Sequence, residues 1–269
     1  MPVVVKFGGE LLEVAAHRRA MAAMLAGVSV PLVVVHGGGR EIDAALARAG
    51  LQKRQVDGLR VTDAPTMAVV VEVLAGAVNT QLVAAIAAAG GRPVGLTGAD
   101  AGLVLVERAA PHEAVHGGLV DLGLVGQPVG SGRPALVDDL LAAGYLPVLC
   151  SIGMSADGAL LNVNADTLAG HVAARLQASR LVIAGTTAGV LDGHGRTIRD
   201  LPVEAARALI TSGVASAGMI AKLRACCDAI ASGVGEVFLV DGREAATVAS
   251  LLSANTAGAD ALPGTRMVA

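Results

Sequence analysis

A lysine standing between a β-branched run and a pair of glycines is the first arrangement in this sequence that could do chemistry. Val3-Val4-Val5-Lys6-Phe7-Gly8-Gly9 has that form, and Leu32-Val33-Val34-Val35-His36-Gly37-Gly38-Gly39 repeats the strand-to-glycine pattern. Glycine lets backbone N–H groups close on an anion, and a helix after such a turn adds the positive end of its dipole. Lys6 alone would snorkel to solvent, but beside Gly8-Gly9 its ammonium can reach a phosphate held by those N–H groups. Two phosphate cradles, one with a lysine, point to phosphoryl transfer. The common nucleotide loops are absent, since there is no G-x-x-x-x-G-K-[ST] and no G-x-G-x-x-G opening the first strand–helix unit.

Three further segments offer polar groups. In Asn162-Val163-Asn164-Ala165-Asp166 the two asparagines share one face of an extended segment, so their amides can orient a polar ligand and a second acidic group. Asp166 has an ordinary role beside this one, as an acid in the first turn of a helix. Arg60, in Gly58-Leu59-Arg60-Val61-Thr62-Asp63, suits a bidentate grip on a carboxylate. Lys222, in Gly218-Met219-Ile220-Ala221-Lys222-Leu223, reads on its own as an exposed helical lysine. His112-Glu113-Ala114-Val115-His116 matches the zinc-protease pattern H-E-x-x-H, but Pro111 and Gly117-Gly118 leave at most one helical turn for it, and no third ligand is near. No protein-held metal is therefore expected. Cys150, Cys226 and Cys227 form no CxxC and read as small buried thiols of a reducing compartment.

These groups need a scaffold. Strand-like runs near 3–7, 32–36, 92–97, 146–151, 180–184 and 236–240 alternate with helical stretches near 14–26, 40–49, 64–88, 134–143, 166–177, 202–211 and 219–232. The alternation predicts an α/β fold, a mostly parallel sheet with helices on both faces and ligands at the carboxyl ends of its strands. Glycine-broken runs between 102 and 130 predict a β-hairpin excursion, and Gln177-Ala178-Ser179-Arg180 marks a lobe boundary, giving lobes 1–178 and 179–269. The 269 residues include 20 basic and 23 acidic side chains in no long cationic cluster, and Phe7, Tyr145 and Phe238 are the only aromatics. Nucleic acid is thus not an expected partner. No run of about 18 apolar residues is free of glycine or polar interruptions, and the start is a strand rather than a signal peptide, so no membrane and a cytoplasmic location are expected.

Taken together and in order, Lys6-Phe7-Gly8-Gly9, His36-Gly37-Gly38-Gly39, Gly58-Leu59-Arg60-Val61-Thr62, Gly95-Leu96-Thr97-Gly98, Gly144-Tyr145-Leu146-Pro147-Val148, Leu161-Asn162-Val163-Asn164-Ala165-Asp166, Gly189-Val190-Leu191-Asp192-Gly193, Gly218-Met219-Ile220 with Lys222, and Gly264-Thr265-Arg266 resemble the amino acid kinase family. The match runs nearly end to end. It is sharpest to the branch that uses ATP to phosphorylate the γ-carboxylate of N-acetyl-L-glutamate in arginine biosynthesis. The resemblance implies a three-layer α/β/α sandwich of two lobes, ATP with Mg2+ bound through its phosphates, and a homodimer.

Carried over residue by residue, it implies that Lys6 and Lys222 stabilise the transferring phosphoryl group while Asp166 holds both lysines. Gly8, Gly9, Gly38 and Gly39 would receive phosphate, Arg60 the α-carboxylate and Asn162 the N-acetyl region. ATP would lie along Thr186, Thr187, Ala188, Gly189, Val190 and Leu191, and along Val214, Ala215 and Ser216. An ionised carboxylate attacks phosphorus without a general base, so His36 reads as structural. The sequence departs from the family where Thr186 and Ala217 replace acidic residues and where Arg40 follows the second glycine turn. The chain also starts at its first strand, without the N-terminal helix of arginine-inhibited hexamers, which implies a dimer free of arginine feedback. Two rival readings are a kinase for aminoadipyl or glutamyl groups on an acidic carrier protein, and a catalytically weak sensor of nucleotides or metabolites.

Overall fold

The β-branched runs assemble into one eight-stranded sheet in the computed structural model, which describes residues 1–114, 117–212, 217–253 and 264–269. Its strands are β1 (Val3–Phe7), β2 (Leu32–His36), β3 (Pro93–Leu96), β4 (Leu146–Cys150), β5 (Arg180–Gly185), β6 (Asp200–Pro202), β7 (Val237–Asp241) and β8 (Thr265–Val268). Across the sheet they run β6-β8-β7-β5-β1-β2-β4-β3. All neighbours are parallel except β7 and β8.

The strands alternate between two apolar layers, as a period of two requires. Val4, Val33, Val35, Leu149, Leu181 and Ile183 pack on one face against α5 (Ala135–Ala142), α6 (Ala165–Arg175), α7 (Val203–Thr211) and α8 (Ala217–Ala231). Val3, Val5, Phe7, Leu32, Val34 and Val182 pack on the other against α1 (Ala15–Ala26), α2 (Gly39–Arg48), α3 (Ala64–Val71), α4 (Asn79–Ala88) and α9 (Ala245–Leu252). Each fully buried aliphatic side chain contributes about 1.5–3 kcal/mol. The sheet runs unbroken through the β1–β5 pair, across the expected lobe boundary.

Among the sheet strands and the helices packed on them, β6, β8 and α9 went unpredicted. The 102–130 excursion does form ribbons, with 106–108 paired to 126–128 and His112–Glu113 paired to Leu119–Val120. The H-E pair of the zinc pattern thus lies on a strand; His116 lies outside the described residues. The helix from Ala64 to Ala88 is long and apolar enough to cross a membrane by length and composition, unlike the sequence-based expectation. Its Met67, Val70, Leu74, Val78, Leu82 and Ile86 are nevertheless buried in the core. A π-helical segment, Glu72–Val78, joins α3 to α4.

Candidate active site

The carboxyl ends of four strands meet at one edge. Phe7 pairs with both His36 and Ala184, and His36 pairs with Cys150. The glycine turns after β1 and β2, Ser151 after β4 and the loop after β5 therefore leave the sheet side by side, and β1 and β5 flank the switch in strand order where α/β folds bind ligands.

The two glycine turns touch each other. A Cβ at Gly9 would stand 2.7 Å from the Gly38 Cα, and one at Gly38 would stand 2.8 Å from a Leu74 methyl of the π segment. Glycine is required here for close approach, and α2 begins at Gly39, so its free N–H groups face the same space. The two cradles read from the sequence are thus one composite cradle.

Lys6 and Lys222 reach Asp166 from opposite elements. Lys6 Nζ lies 2.8 Å from Asp166 Oδ1, and Lys222 Nζ, from α8, donates to Oδ2 at 3.1 Å. Lys6 occupies the same face of β1 as Val4, which turns it toward α6. Asp166 is fixed in the first turn of α6 by Asn164, whose Oδ1 accepts from the N–H groups of Asp166 and Thr167 at 2.9 and 3.1 Å. Asn164 therefore caps the helix and orients the acid Asp166, as the sequence allowed, while its side chain also lines the cleft. Burial alone would raise the Asp166 carboxyl, but the ammoniums of Lys6 and Lys222 outweigh it and hold its pKa at about 2. Burial likewise opposes the charge on Lys222, and Asp166 overcomes it, leaving the ammonium above its ordinary value. Lys222 is only 20% exposed, so its reading as a solvent lysine is corrected: the partner lies 56 residues away in sequence. One carboxylate between two ammoniums leaves the Lys6–Asp166–Lys222 group with one net positive charge.

Arg60 approaches from the ribbon formed by Gln55–Val56 and Leu59–Arg60. Its Nη2 donates to the Gly39 carbonyl at 3.1 Å and to Asp43 Oδ1 at 2.5 Å, while its Nη1 is buried without a partner. With Nη2 committed, the bidentate grip expected from sequence narrows to Nη1, already oriented. Asn162 Nδ2 donates to Thr62 Oγ1 at 3.2 Å, which in turn donates to the Arg60 carbonyl. Lys6, Gly8, Gly9, Gly38, Gly39, Arg60, Asn162, Asp166 and Lys222 all line one open cleft of about 260 Å³. Glu10, Gln55, Leu59, Val125 and Ser151 line it too. Sequence reasoning gave none of these a role; of them only Glu10, next to Gly8-Gly9, carried a usable signal.

His36 stays out of the chemistry. Its Nδ1 lies 3.0 Å from the Gly37 carbonyl and its Nε2 lies 3.0 Å from Asn79 Nδ2, which also donates to the Val148 carbonyl. That network fits a neutral ring with the proton on Nδ1, and burial lowers its pKa to about 4.

On the far side of the lysines, Thr186, Thr187 and Ala188 are exposed after β5, while Gly189 and Val190 are buried and Leu191 is exposed. Gly8 N–H donates to the Ala184 carbonyl, placing the loop beside the cradle. Thr265 Oγ1 anchors it by accepting from Val190 N–H at 2.8 Å. Gly189 has φ +129°, and a Cβ there would fall 2.6 Å from that hydroxyl oxygen. Val214, Ala215 and Ser216 lie outside the described residues. Arg60 and Asn162 thus flank the two lysines on one side and the loop after β5 flanks them on the other.

The model of the amino acid kinase family matches residues 1–241. The chain is 44% identical over 255 residues to the acetylglutamate kinase of Caulobacter vibrioides (strain NA1000 / CB15N), covering 90% of this chain and 83% of that one. It is 42% identical over 270 residues to the acetylglutamate kinase of Caulobacter sp. (strain K31), covering 95% and 88%. Among solved structures, N-acetylglutamate synthase from Neisseria gonorrhoeae shares the fold at a TM-score of 0.80 and 22% identity, covering all of this chain and 59% of that one.

Proposed function

The chain belongs to the amino acid kinase family, and from that premise we infer that it is an enzyme transferring the γ-phosphoryl group of ATP to the γ-carboxylate of N-acetyl-L-glutamate. The product, N-acetyl-L-glutamyl 5-phosphate, is an intermediate of arginine biosynthesis. One observation carries the reading beyond the relatives' names: two ammoniums held on one buried carboxylate at the meeting point of two glycine turns.

The reaction asks for alignment and charge neutralisation. The acceptor carboxylate, with an ordinary pKa of about 4.3, is ionised at neutral pH and needs no base. Arg60 Nη1 anchors the α-carboxylate, Asn162 holds the N-acetyl region, and the chain length of the glutamate then presents its γ-carboxylate to the lysines. Gly8, Gly9, Gly38 and Gly39 bind the migrating phosphoryl group through backbone N–H groups. Lys6 and Lys222 neutralise its charge from either side as the bond to ADP breaks, and Asp166 keeps both ammoniums in register. The nucleotide lies along Thr186–Leu191 and Val214–Ser216, in lobe 179–269, with the acceptor in lobe 1–178. Mg2+, when bound to the nucleotide, spreads the phosphate charge and fixes the phosphate geometry.

The exposed side of the helix from Ala64 to Ala88 carries mostly alanines, with Pro65, Gly76, Thr80 and Gln81, and Glu72 as its sole charge; we read it as the contact of a cytoplasmic homodimer. Light scattering should give twice the chain mass, and a monomer or hexamer contradicts this. The activity itself is tested by ADP release with N-acetyl-L-glutamate, L-glutamate or N-acetyl-L-aspartate, hydroxylamine trapping the acyl phosphate. Turnover and hydroxamate are expected with the first alone; silence with all three overturns the reading.

A further inference from the structure

Glu10 is the cleft's uncommitted carboxylate. Of the two acidic side chains lining it, Asp166 has one oxygen on each lysine, whereas the Glu10 carboxylate makes no hydrogen bond or ion pair among the described residues. It folds over the first glycine turn: a Cβ at Gly8 would lie 2.7 Å from both of its oxygens, and one at Gly185, where β5 ends, would lie 4.0 Å away. The carboxylate thus stands between the phosphate cradle and the start of the nucleotide loop. That loop, Thr186-Thr187-Ala188, brings no acid of its own.

An unpaired carboxylate beside an anion cradle repels phosphate unless a cation lies between them. Mg2+ is such a cation. It takes hard oxygens in near-octahedral array and is held by one or two carboxylates together with substrate phosphates and water. Among the described residues no group of three or more His, Cys, Asp or Glu is gathered as a metal cage. One free carboxylate at the phosphates therefore fits the donor set for a metal that arrives with the nucleotide. The charge of Glu10 also reaches Lys222, which it helps to keep protonated.

We propose that Glu10 is the protein's own carboxylate ligand for the Mg2+ carried on the nucleotide's phosphates. The proposal rests on the ATP-dependent reading above, and it changes the expectation that the metal is held through phosphates alone. Calorimetric titration of ADP, with Mg2+ or with EDTA, separates the two. Wild-type protein should bind MgADP about tenfold more tightly than metal-free ADP. Glu10→Gln should remove that preference while leaving metal-free ADP bound as well or better, since a negative charge near the phosphates is gone. Glu10→Asp, one methylene shorter, should keep part of the preference, and thermal melts of all three proteins establish that each is folded. A full Mg2+ preference in Glu10→Gln overturns the assignment and leaves the kinase reading intact. Failure of the wild-type protein to bind ADP under either condition overturns both.

Discussion

At the residue scale, the proposed mechanism separates groups that bind the acceptor from groups that act on the phosphoryl group in flight. Lys222 touches Asp166 and faces the cradle, so Lys222→Ala should lower kcat by about 10²–10³ while changing ATP affinity little. Steady-state kinetics and nucleotide titration read the two effects, and equal losses in both would contradict the transition-state role. On the proposed reading, Arg60 acts on the ground state as much as on the transition state. Arg60→Met should raise KM for N-acetyl-L-glutamate about 10- to 100-fold, the worth of one charged hydrogen bond, with kcat nearly unchanged; a collapse of kcat instead would place Arg60 in the chemistry. Legibility differed among these residues for a physical reason. Lys6 showed itself because a strand and two glycines adjoin it in sequence, whereas Lys222 meets its partner only through the packing of α8 on α6. The resemblance supplied its role, and the fold supplied the contact.

At the element scale, the two glycine turns form a single unit because backbone meets backbone at Gly9 and Gly38. Gly9→Ala should cost about 1–3 kcal/mol by overpacking and should disable the cradle with it. Gly39→Ala, where a new Cβ meets nothing within 4 Å, should leave the melting temperature close to wild type; similar melts for both variants would sink the explanation. The long strands and helices were legible from period and composition because they are buried on defined faces. The strands missed were short and near the sheet's margin, β6 with three residues and β8 with four, antiparallel to β7, while α9 is an eight-residue helix. The π segment was illegible because nothing in Glu72–Val78 but Gly76 marks a widened turn. Yet that turn sets Leu74 against Gly38, and Asn79 follows directly to meet His36.

At the scale of the whole molecule, acid should destabilise the fold in two stages. His36 is buried and neutral with a folded pKa near 4 against an ordinary 6.5, so between those values the unfolded chain binds more protons. The stability it provides is complete above pH 6.5 and is lost as pH falls toward 4, by up to about 1.4 kcal/mol per pH unit. Asp166, lowered from 3.8 to about 2, adds a second loss as pH falls through that range. Urea midpoints between pH 7 and 4.5 should therefore decline, and His36→Asn should remove part of the decline, the rest following His171, which burial also lowers to about 4; an unchanged slope in that variant would assign the loss elsewhere. The distribution of the site over the molecule carries one more consequence. In the proposed mechanism phosphate is gripped at the ends of sheet strands, whereas Leu59, Arg60 and Val125 lie on or beside short ribbons inserted between them. Exchanging those ribbons is thus a route by which this scaffold could acquire new acceptors by descent or by grafting, while the engine that moves the phosphoryl group is inherited unaltered.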